Sequence, residues 1–268
     1  MSTTEPEQGE HDLAGIRAQV YKDPRPASHF DRFHKRARSR KPDWVYGAVR
    51  VLTTLHGTVA FRARGVNAER VPPAGPLILA PNHFSFMDHF FVGMFVRRQV
   101  QFMAKSQLFK RPMQWVYTHG GVFPVRRGHE DQEAFITAEA ILARGGCVVM
   151  YCEGGRSRTG KLAERPRPGI GRLALASGAT VVPVAIYGSQ RVRNWKRLRF
   201  PQVTVQYGEP IVFAKEPGST RERQQEVAEQ IFGEIKQLYT ALENSSGRLR
   251  KQEGRGAVRS LLRGAESD

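Results

Sequence analysis

The sequence predicts a single α/β domain, built on a largely parallel or mixed sheet flanked by helices, with basic N- and C-terminal extensions. Three observations predict it. From Trp44 to about Tyr239, short apolar runs rich in β-branched residues alternate with helix-length segments, the pattern of helices packed on a sheet. Each run is bounded by Gly, Pro or charged residues, which marks strands rather than pieces of longer helices. The chain has 268 residues, 40% of them hydrophobic, enough for one large domain or two small ones with a sizeable core.

The elements follow in order. Residues 1 to 43 read as a polar and then basic arm. The first 25 or so are polar, acidic at first and without periodicity, so they are expected to be disordered. The stretch RPASHFDRFHKRARSRK, residues 25 to 41, holds seven Lys/Arg and one Asp. It is either a solvated arm or a polybasic membrane anchor with Phe30 and Phe33 as inserting groups. Trp44 to Phe61 reads as an amphipathic helix on a core or a membrane surface, because Arg50 and His56 interrupt it before it reaches a membrane-spanning length. Strands are expected at 76–80, 100–104, 121–125, 147–151, 181–187 and 203–207, with helices at 86–97, 106–118, 130–143 and 169–177. The clearest helix is 221–243, with Val227, Ile231, Ile235, Leu238 and Leu242 on one face and Ser219 and Glu222 spaced as a capping box. This closes a domain spanning 44–243. Residues 244–268 form a tail with six Lys/Arg between Arg248 and Arg263, expected to be a mobile basic extension. There is no internal repeat.

The formal net charge is +17, from 42 Lys+Arg against 25 Asp+Glu. Such a surface favours polyanions: nucleic acid, anionic lipid, phosphorylated substrate or an acidic carrier protein. Another basic run, Arg191, Arg193, Lys196, Arg197 and Arg199 interleaved with Trp195 and Leu198, is either a membrane or carrier patch or a solvated loop. The two cysteines, Cys147 and Cys152, are too few for a zinc site and fall on opposite faces of a strand, so neither a disulfide nor a structural metal is expected. The N-terminus lacks a secretory pattern. These features lead to a cytoplasmic protein with no transmembrane span, peripheral on the inner face of the cell membrane.

The stretch PLILAPNHFSFMDHFFVGMFV, residues 76 to 96, carries the chemistry. His83 and Asp88 are five apart, a separation of about 140° net around an α-helix, so they cannot share a helical face. They meet only if Pro81 and Asn82 end a strand, His83 lies in the turn, and Asp88 sits in the first turns of a helix that Ser85 caps. Beyond the carboxyl end of a strand is also where α/β sheets collect functional groups. Taken alone the pair reads first as a structural hydrogen bond and only second as a general base with its orienting carboxylate, and His89 competes for either role. General-base assistance of this kind is worth roughly 10²–10⁴ in rate.

Three later segments bear on that choice. GGVFPVRRG (120–128) ends a short strand in paired arginines. YCEGGRSRTGK (151–161) follows a strand with a Glu, two glycines and two arginines, a combination that admits a ligand close to the backbone and offers bidentate contacts to phosphate. ASGATVVPVAIYG (176–188) is a buried strand. With these four in this order, the chain resembles the glycerophospholipid acyltransferase family, best known for 1-acylglycerol-3-phosphate O-acyltransferases. The NHxxxxD block is here Asn82, His83 and Asp88. The G-x-x-x-x-x-R block is Gly121 to Arg127, with a frame from Gly120 to Arg126 also open. The (F)PEG(T)RS block is Tyr151 to Ser157, and the V-P-V strand is Val182-Pro183-Val184. Cys152 and Gly155 depart from the family's usual Pro and Thr.

The resemblance covers roughly residues 45 to 215 and implies a mechanism. His83, oriented by Asp88, deprotonates an acceptor hydroxyl, which attacks the thioester of acyl-CoA or an acyl-carrier protein. Asn82, Gly121, Arg126, Arg127, Glu153, Gly154, Gly155 and Arg156 are the implied substrate-binding residues. Glu153 either holds an arginine or contacts the acceptor's hydroxyls. The oxyanion donors are backbone N–H groups near the His83 turn or in the Gly154–Gly155 loop. No metal and no cofactor is implied beyond the acyl donor as co-substrate. The implied acceptor is a phosphorylated lipid of the lysophosphatidate type, met at an anionic membrane surface; the segment 84–96 reads as core packing at most positions, with part of it a candidate lining for an acyl-chain tunnel. Glycerol 3-phosphate, a glycolipid or another lysophospholipid is the alternative acceptor. A nucleic-acid-binding protein is the distant alternative, since no specific nucleic-acid motif accompanies the charge. A serine hydrolase lacks its G-x-S-x-G elbow.

Overall fold

The computed structural model describes residues 23–126, 131–157, 159–192 and 200–264. Among these the α-helices are α1 (Asp31–Ser39), α2 (Trp44–Phe61), α3 (Asp88–Met94), α4 (Met113–His119), α5 (Gln132–Ala143), α6 (Gly169–Ser177) and α7 (Arg221–Gly264). The strands are β1 (Arg64–Val66), β2 (Leu77–Pro81), β3 (Gln101–Lys105), β4 (Val122–Val125), β5 (Cys147–Val149), β6 (Thr180–Tyr187) and β7 (Thr204–Tyr207). They make one seven-stranded sheet in the order β1-β7-β6-β2-β5-β3-β4. Every neighbouring pair is parallel except β6 with β7.

All six expected strands are present, shifted by one or two residues at their ends. The sequence pattern misses β1, a three-residue edge strand of Arg, Gly and Val with two of its residues exposed, which carries no alternation. The helix expected at 86–97 forms only over α3. The one expected at 106–118 splits into a 3-10 turn at Ser106–Leu108 and α4, because Pro112 can open a helix but not continue one.

β2 lies at the centre and is buried on both faces. Ile78 and Ala80 point into a core shared with α5, α6 and α7, through Ile141, Leu173, Val227 and Ile231. Leu77 and Leu79 point into the opposite core, with Phe61 from α2 and Phe91 and Val92 from α3. A strand covered on both faces has no polar face to show, which is why PLILA reads as a continuous apolar run. On the first face α6 crosses α7 so closely that a Cβ on Gly171 would lie 1.9 Å from the Gln224 carbonyl oxygen.

The N-terminal segment corrects one expectation. Phe30 and Phe33 are buried in a cluster with Phe109, not offered to a membrane. Arg25, tied to Asp23, donates to the carbonyl oxygens of Phe109 (2.7 Å) and Ser106 (2.6 Å), so the basic stretch from residue 23 is fastened to the domain. The closing helix is corrected at both ends. Its cap is Thr220, whose hydroxyl accepts from the Arg223 N–H (3.3 Å), rather than Ser219, and its backbone continues to Gly264. Residues 1–22, Arg127, and Arg193 to Arg199 of the second basic run lie outside the described residues.

α2 is amphipathic, as expected. Val45, Tyr46, Gly57 and Phe61 face the domain, whereas Trp44, Val51, Leu52, Leu55 and Val59 are 62–74% exposed. No helix among the described residues is long and apolar enough to cross a membrane.

Candidate active site

The site forms where β2 ends. Pro81 closes the strand, and the Asn82 side chain then takes the place of a backbone ladder. Its Oδ1 accepts from Ile186 N–H (2.7 Å) and its Nδ2 donates to the Ile186 carbonyl (3.1 Å). The main chain leaves the sheet while β6 keeps its hydrogen bonds. Asn82 is fully buried in this pairing, so its amide closes the sheet.

The next residues turn back on Asp88. Its Oδ2 accepts from His83 Nδ1 (2.9 Å), Phe84 N–H (2.7 Å) and Ser85 N–H (2.7 Å), while Oδ1 is buried without a partner. Ser85 accepts from Met87 N–H (3.2 Å), one residue before α3 begins. The five-residue spacing is thus a carboxylate closing over the turn that precedes it, and it brings the His83 imidazole into a buried pair.

The loop after β5 holds the same turn from the other side. Glu153 Oε1 accepts from the His83 N–H (3.0 Å), and Ser157 N–H donates to the His83 carbonyl (2.9 Å). Both main-chain groups of His83 are therefore fixed by the third block. Of the two alternatives for Glu153, an arginine partner is not seen among the described residues; its partners there are backbone N–H groups. Burial pushes its carboxyl up to about 7; the N–H groups of His83 and Ala163 pull against that rise, and the Asp88 charge adds to it. Arg156 follows in this loop, exposed and without a carboxylate partner among the described residues.

The amide inventory narrows the oxyanion question. In the turn, the N–H groups of His83, Phe84 and Ser85 are all spent on carboxylates. In the loop, Gly154 N–H donates to Tyr151 and Ser157 N–H to His83, whereas those of Glu153, Gly155 and Arg156 are uncommitted among the described residues.

Tyr151 is the contact the sequence reading missed. Its ring stacks on the His83 imidazole, 4.0 Å between centroids and 23° between planes. Only its place as the first letter of its block signals this. His89, expected to compete with His83, instead brings its Nδ1 to 2.9 Å from the Tyr151 hydroxyl.

The second block behaves differently. Gly121 lies at the amino end of β4, the far edge of the sheet from His83. There its φ of +82° and the Pro42 ring, 2.5 Å from where a Cβ would stand, account for the glycine. Arg126 lies at the carboxyl end of β4, three strands from β2 or about 14 Å. It reaches the Arg25 carbonyl (3.1 Å) rather than the His83 turn. The fourth block lies in β6, with Pro183 beside Ala80 of β2.

Beside the site is an apolar cavity of about 370 Å³ between α2, α3, β3 and α4, lined by Val49, Phe86, His89, Phe90, Phe102 and Met113 among others. Phe86 and Met113 are themselves 49% and 46% exposed, so the cavity opens through an apolar rim. No cluster able to hold a metal ion occurs among the described residues.

A mostly parallel sheet thus sets a buried His–Asp pair at the end of its central strand, and comparison with known proteins points to acyl transfer. The family model described as Acyltransferase matches residues 62–187, which contain all four blocks, and this match supports the resemblance to the glycerophospholipid acyltransferases. The fold is similar to the crystal structure of the 1-acyl-sn-glycerophosphate (LPA) acyltransferase PlsC from Thermotoga maritima, with a TM-score of 0.57 and 23% identity over 74% of this chain and 81% of that one.

Proposed function

We propose that the protein transfers an acyl group from acyl-CoA or an acyl-carrier protein to the hydroxyl of a lysophosphatidate-type acceptor while seated on an anionic membrane surface. The observation that carries this reading is the His83 Nδ1–Asp88 Oδ2 contact of 2.9 Å inside the matched family segment. Asp88 fixes the tautomer, so the other ring nitrogen, Nε2, carries the lone pair that takes the acceptor's proton. The alkoxide then attacks the thioester carbonyl, and the tetrahedral oxyanion is met by the N–H groups of Gly155 and Arg156. Collapse breaks the carbon–sulfur bond, and the imidazolium returns its proton to the departing thiolate. Asp88 stabilises the imidazolium in between.

The surroundings support the substrate classes. The cavity suits an acyl chain in chemistry, with Phe86 and Met113 at its exposed rim. The apolar face of α2 continues that rim, with Trp44 touching Trp115 of α4 at 6.2 Å between centroids, which suits entry of lipid from a membrane surface. Arg156, Lys161, Arg167 and Arg191 lack carboxylate partners within the described structure and are available to a phosphate.

The test is acyltransfer by the purified full chain against lysophosphatidate, glycerol 3-phosphate and a non-phosphorylated acceptor, with both CoA and carrier-protein donors. His83→Ala is expected to lower turnover by roughly 10³-fold while keeping the wild-type circular dichroism. A folded His83→Ala protein with full activity overturns the mechanism. Turnover confined to the non-phosphorylated acceptor overturns the acceptor assignment.

A further inference from the structure

One histidine at the site is not used by the chemistry above. His89 follows Asp88 in the first turn of α3, and its Nδ1 lies 2.9 Å from the Tyr151 hydroxyl. Burial and the Asp88 charge push that phenol well above its ordinary range, so it stays neutral and keeps its hydrogen for bonding. His89 also meets both other rings edge-on, 5.2 Å from His83 and 5.0 Å from Tyr151 between centroids. The three rings interlock.

This arrangement answers a question the His83–Asp88 bond leaves open. One hydrogen bond at Nδ1 fixes a point on the imidazole edge but not the plane of the ring. A general base needs both, because its far nitrogen must lie along the acceptor's O–H, and a misplacement of about 1 Å can cost roughly 10²-fold in rate. The flat contact with Tyr151 supplies the plane. A phenol ring can itself swing about its Cα–Cβ bond, and the hydrogen bond at its far end removes that freedom. Both restraints on His83 thus arise from adjacent residues of one helix: Asp88 holds the edge, and His89 holds the face by way of Tyr151. The stack has a second use once the proton has moved, since an imidazolium over an aromatic face is favoured by cation–π attraction.

We infer that His89 is a positioning residue for acyl transfer, holding the plane of the His83 imidazole through its hydrogen bond to Tyr151. The inference rests on the acyltransfer reading. His89 also borders the apolar cavity, so the competing role is that of a cavity wall, which would act on donor binding rather than on turnover.

The test uses the purified full chain and the donor and acceptor that give the highest wild-type turnover. Tyr151→Phe keeps the ring and removes the hydroxyl; His89→Leu removes the partner; His89→Asn keeps a polar atom close to the place of Nδ1. Tyr151→Phe and His89→Leu are each expected to lower kcat about tenfold, with the KM for donor within about twofold of wild type. The double variant Tyr151→Phe/His89→Leu should be no more than about threefold worse than either alone, because the two groups act as one unit. His89→Asn should keep at least about a third of the wild-type kcat. A second readout needs no turnover: the Nδ1 proton of His83, followed by NMR in the free protein, should broaden in His89→Leu and remain sharp in His89→Asn. Multiplicative losses in the double variant overturn the inference, as does a loss confined to the donor KM or an unchanged His83 signal in His89→Leu. Lack of wild-type turnover with every acceptor overturns the acyltransfer reading instead, and the NMR arm still decides whether His89 holds the ring.

Discussion

Replacing Glu153 with Gln should make the protein relatively more stable as pH rises. The carboxyl lies against the His83 turn, where burial raises it from the ordinary 4.5 to about 7. A group raised in the folded state binds its proton more tightly there than in the unfolded chain, so folding is favoured at low pH and loses that contribution as pH climbs. The loss begins near 4.5, where the unfolded carboxyl ionises, and is complete a little above 7. The shift of about 2.5 units, from 4.5 to about 7, corresponds to about 3 kcal/mol. Gln cannot ionise and escapes the loss. It also places an NH₂ where Glu153 receives backbone N–H groups, which adds a destabilisation of its own, but that offset does not vary with pH. The decisive quantity is therefore the change in the stability difference, variant minus wild type, between pH 5 and pH 8. Urea unfolding followed by tryptophan fluorescence at half-unit steps should show it moving by about 2–3 kcal/mol in the variant's favour. A difference that stays flat across this range refutes the argument, since it would mean that the folded protein does not hold the Glu153 proton above its ordinary pKa.

Other expectations follow from the same geometry. Asp88→Asn keeps an oxygen to accept the three donors of the turn but loses the charge that stabilises the imidazolium, so kcat should fall by roughly 10³–10⁴ in a folded protein, read by steady-state kinetics. Gly121→Ala meets the Pro42 ring and a φ of +82°, and should cost about 1–3 kcal/mol in urea unfolding while leaving kcat within about twofold, because the residue lies at the amino end of the sheet. Leu52→Glu combined with Leu55→Glu puts two charges on the exposed face of α2 and should reduce co-sedimentation with anionic phospholipid vesicles by more than about tenfold, with the melting temperature unchanged.

The parts of the structure that were legible in the sequence are those in which local chemistry decides the outcome. The central strands read correctly because burial on both faces leaves a run of apolar, β-branched residues that has no other use. The His83–Asp88 contact was legible because a spacing of five excludes a shared helical face and so demands a turn. What escaped depends on distance between segments far apart in the chain. No local pattern says that Tyr151 comes to lie flat on His83, 68 positions earlier, or that the N-terminal Phe30 and Phe33 find Phe109 instead of lipid. Gly121 shows a further case. The family block marks this glycine as a ligand contact, and the structure adds a backbone angle of +82° and a close Pro42 ring as reasons for it that no sequence pattern shows.

The two carboxylates at the site are not equivalent, and the difference bears on the reaction. Asp88 gathers three donors on one oxygen within a single turn, one of them the imidazole it must keep in place. Glu153 receives only main-chain N–H groups, and the Asp88 charge nearby works against its ionisation. Near neutral pH Glu153 therefore readily carries a proton. Acyl transfer forms an imidazolium and an oxyanion together. The hydrogen bond from His83 to Asp88 favours the first, whereas a permanent charge on Glu153 beside the loop of Gly155 and Arg156 would oppose the oxyanion proposed to form there. Glu153 can hold the backbone of His83 without imposing that charge, because a neutral carboxyl still accepts a hydrogen bond through its carbonyl oxygen. A glutamate held near its own titration point keeps the turn in place while leaving the developing negative charge to the backbone donors.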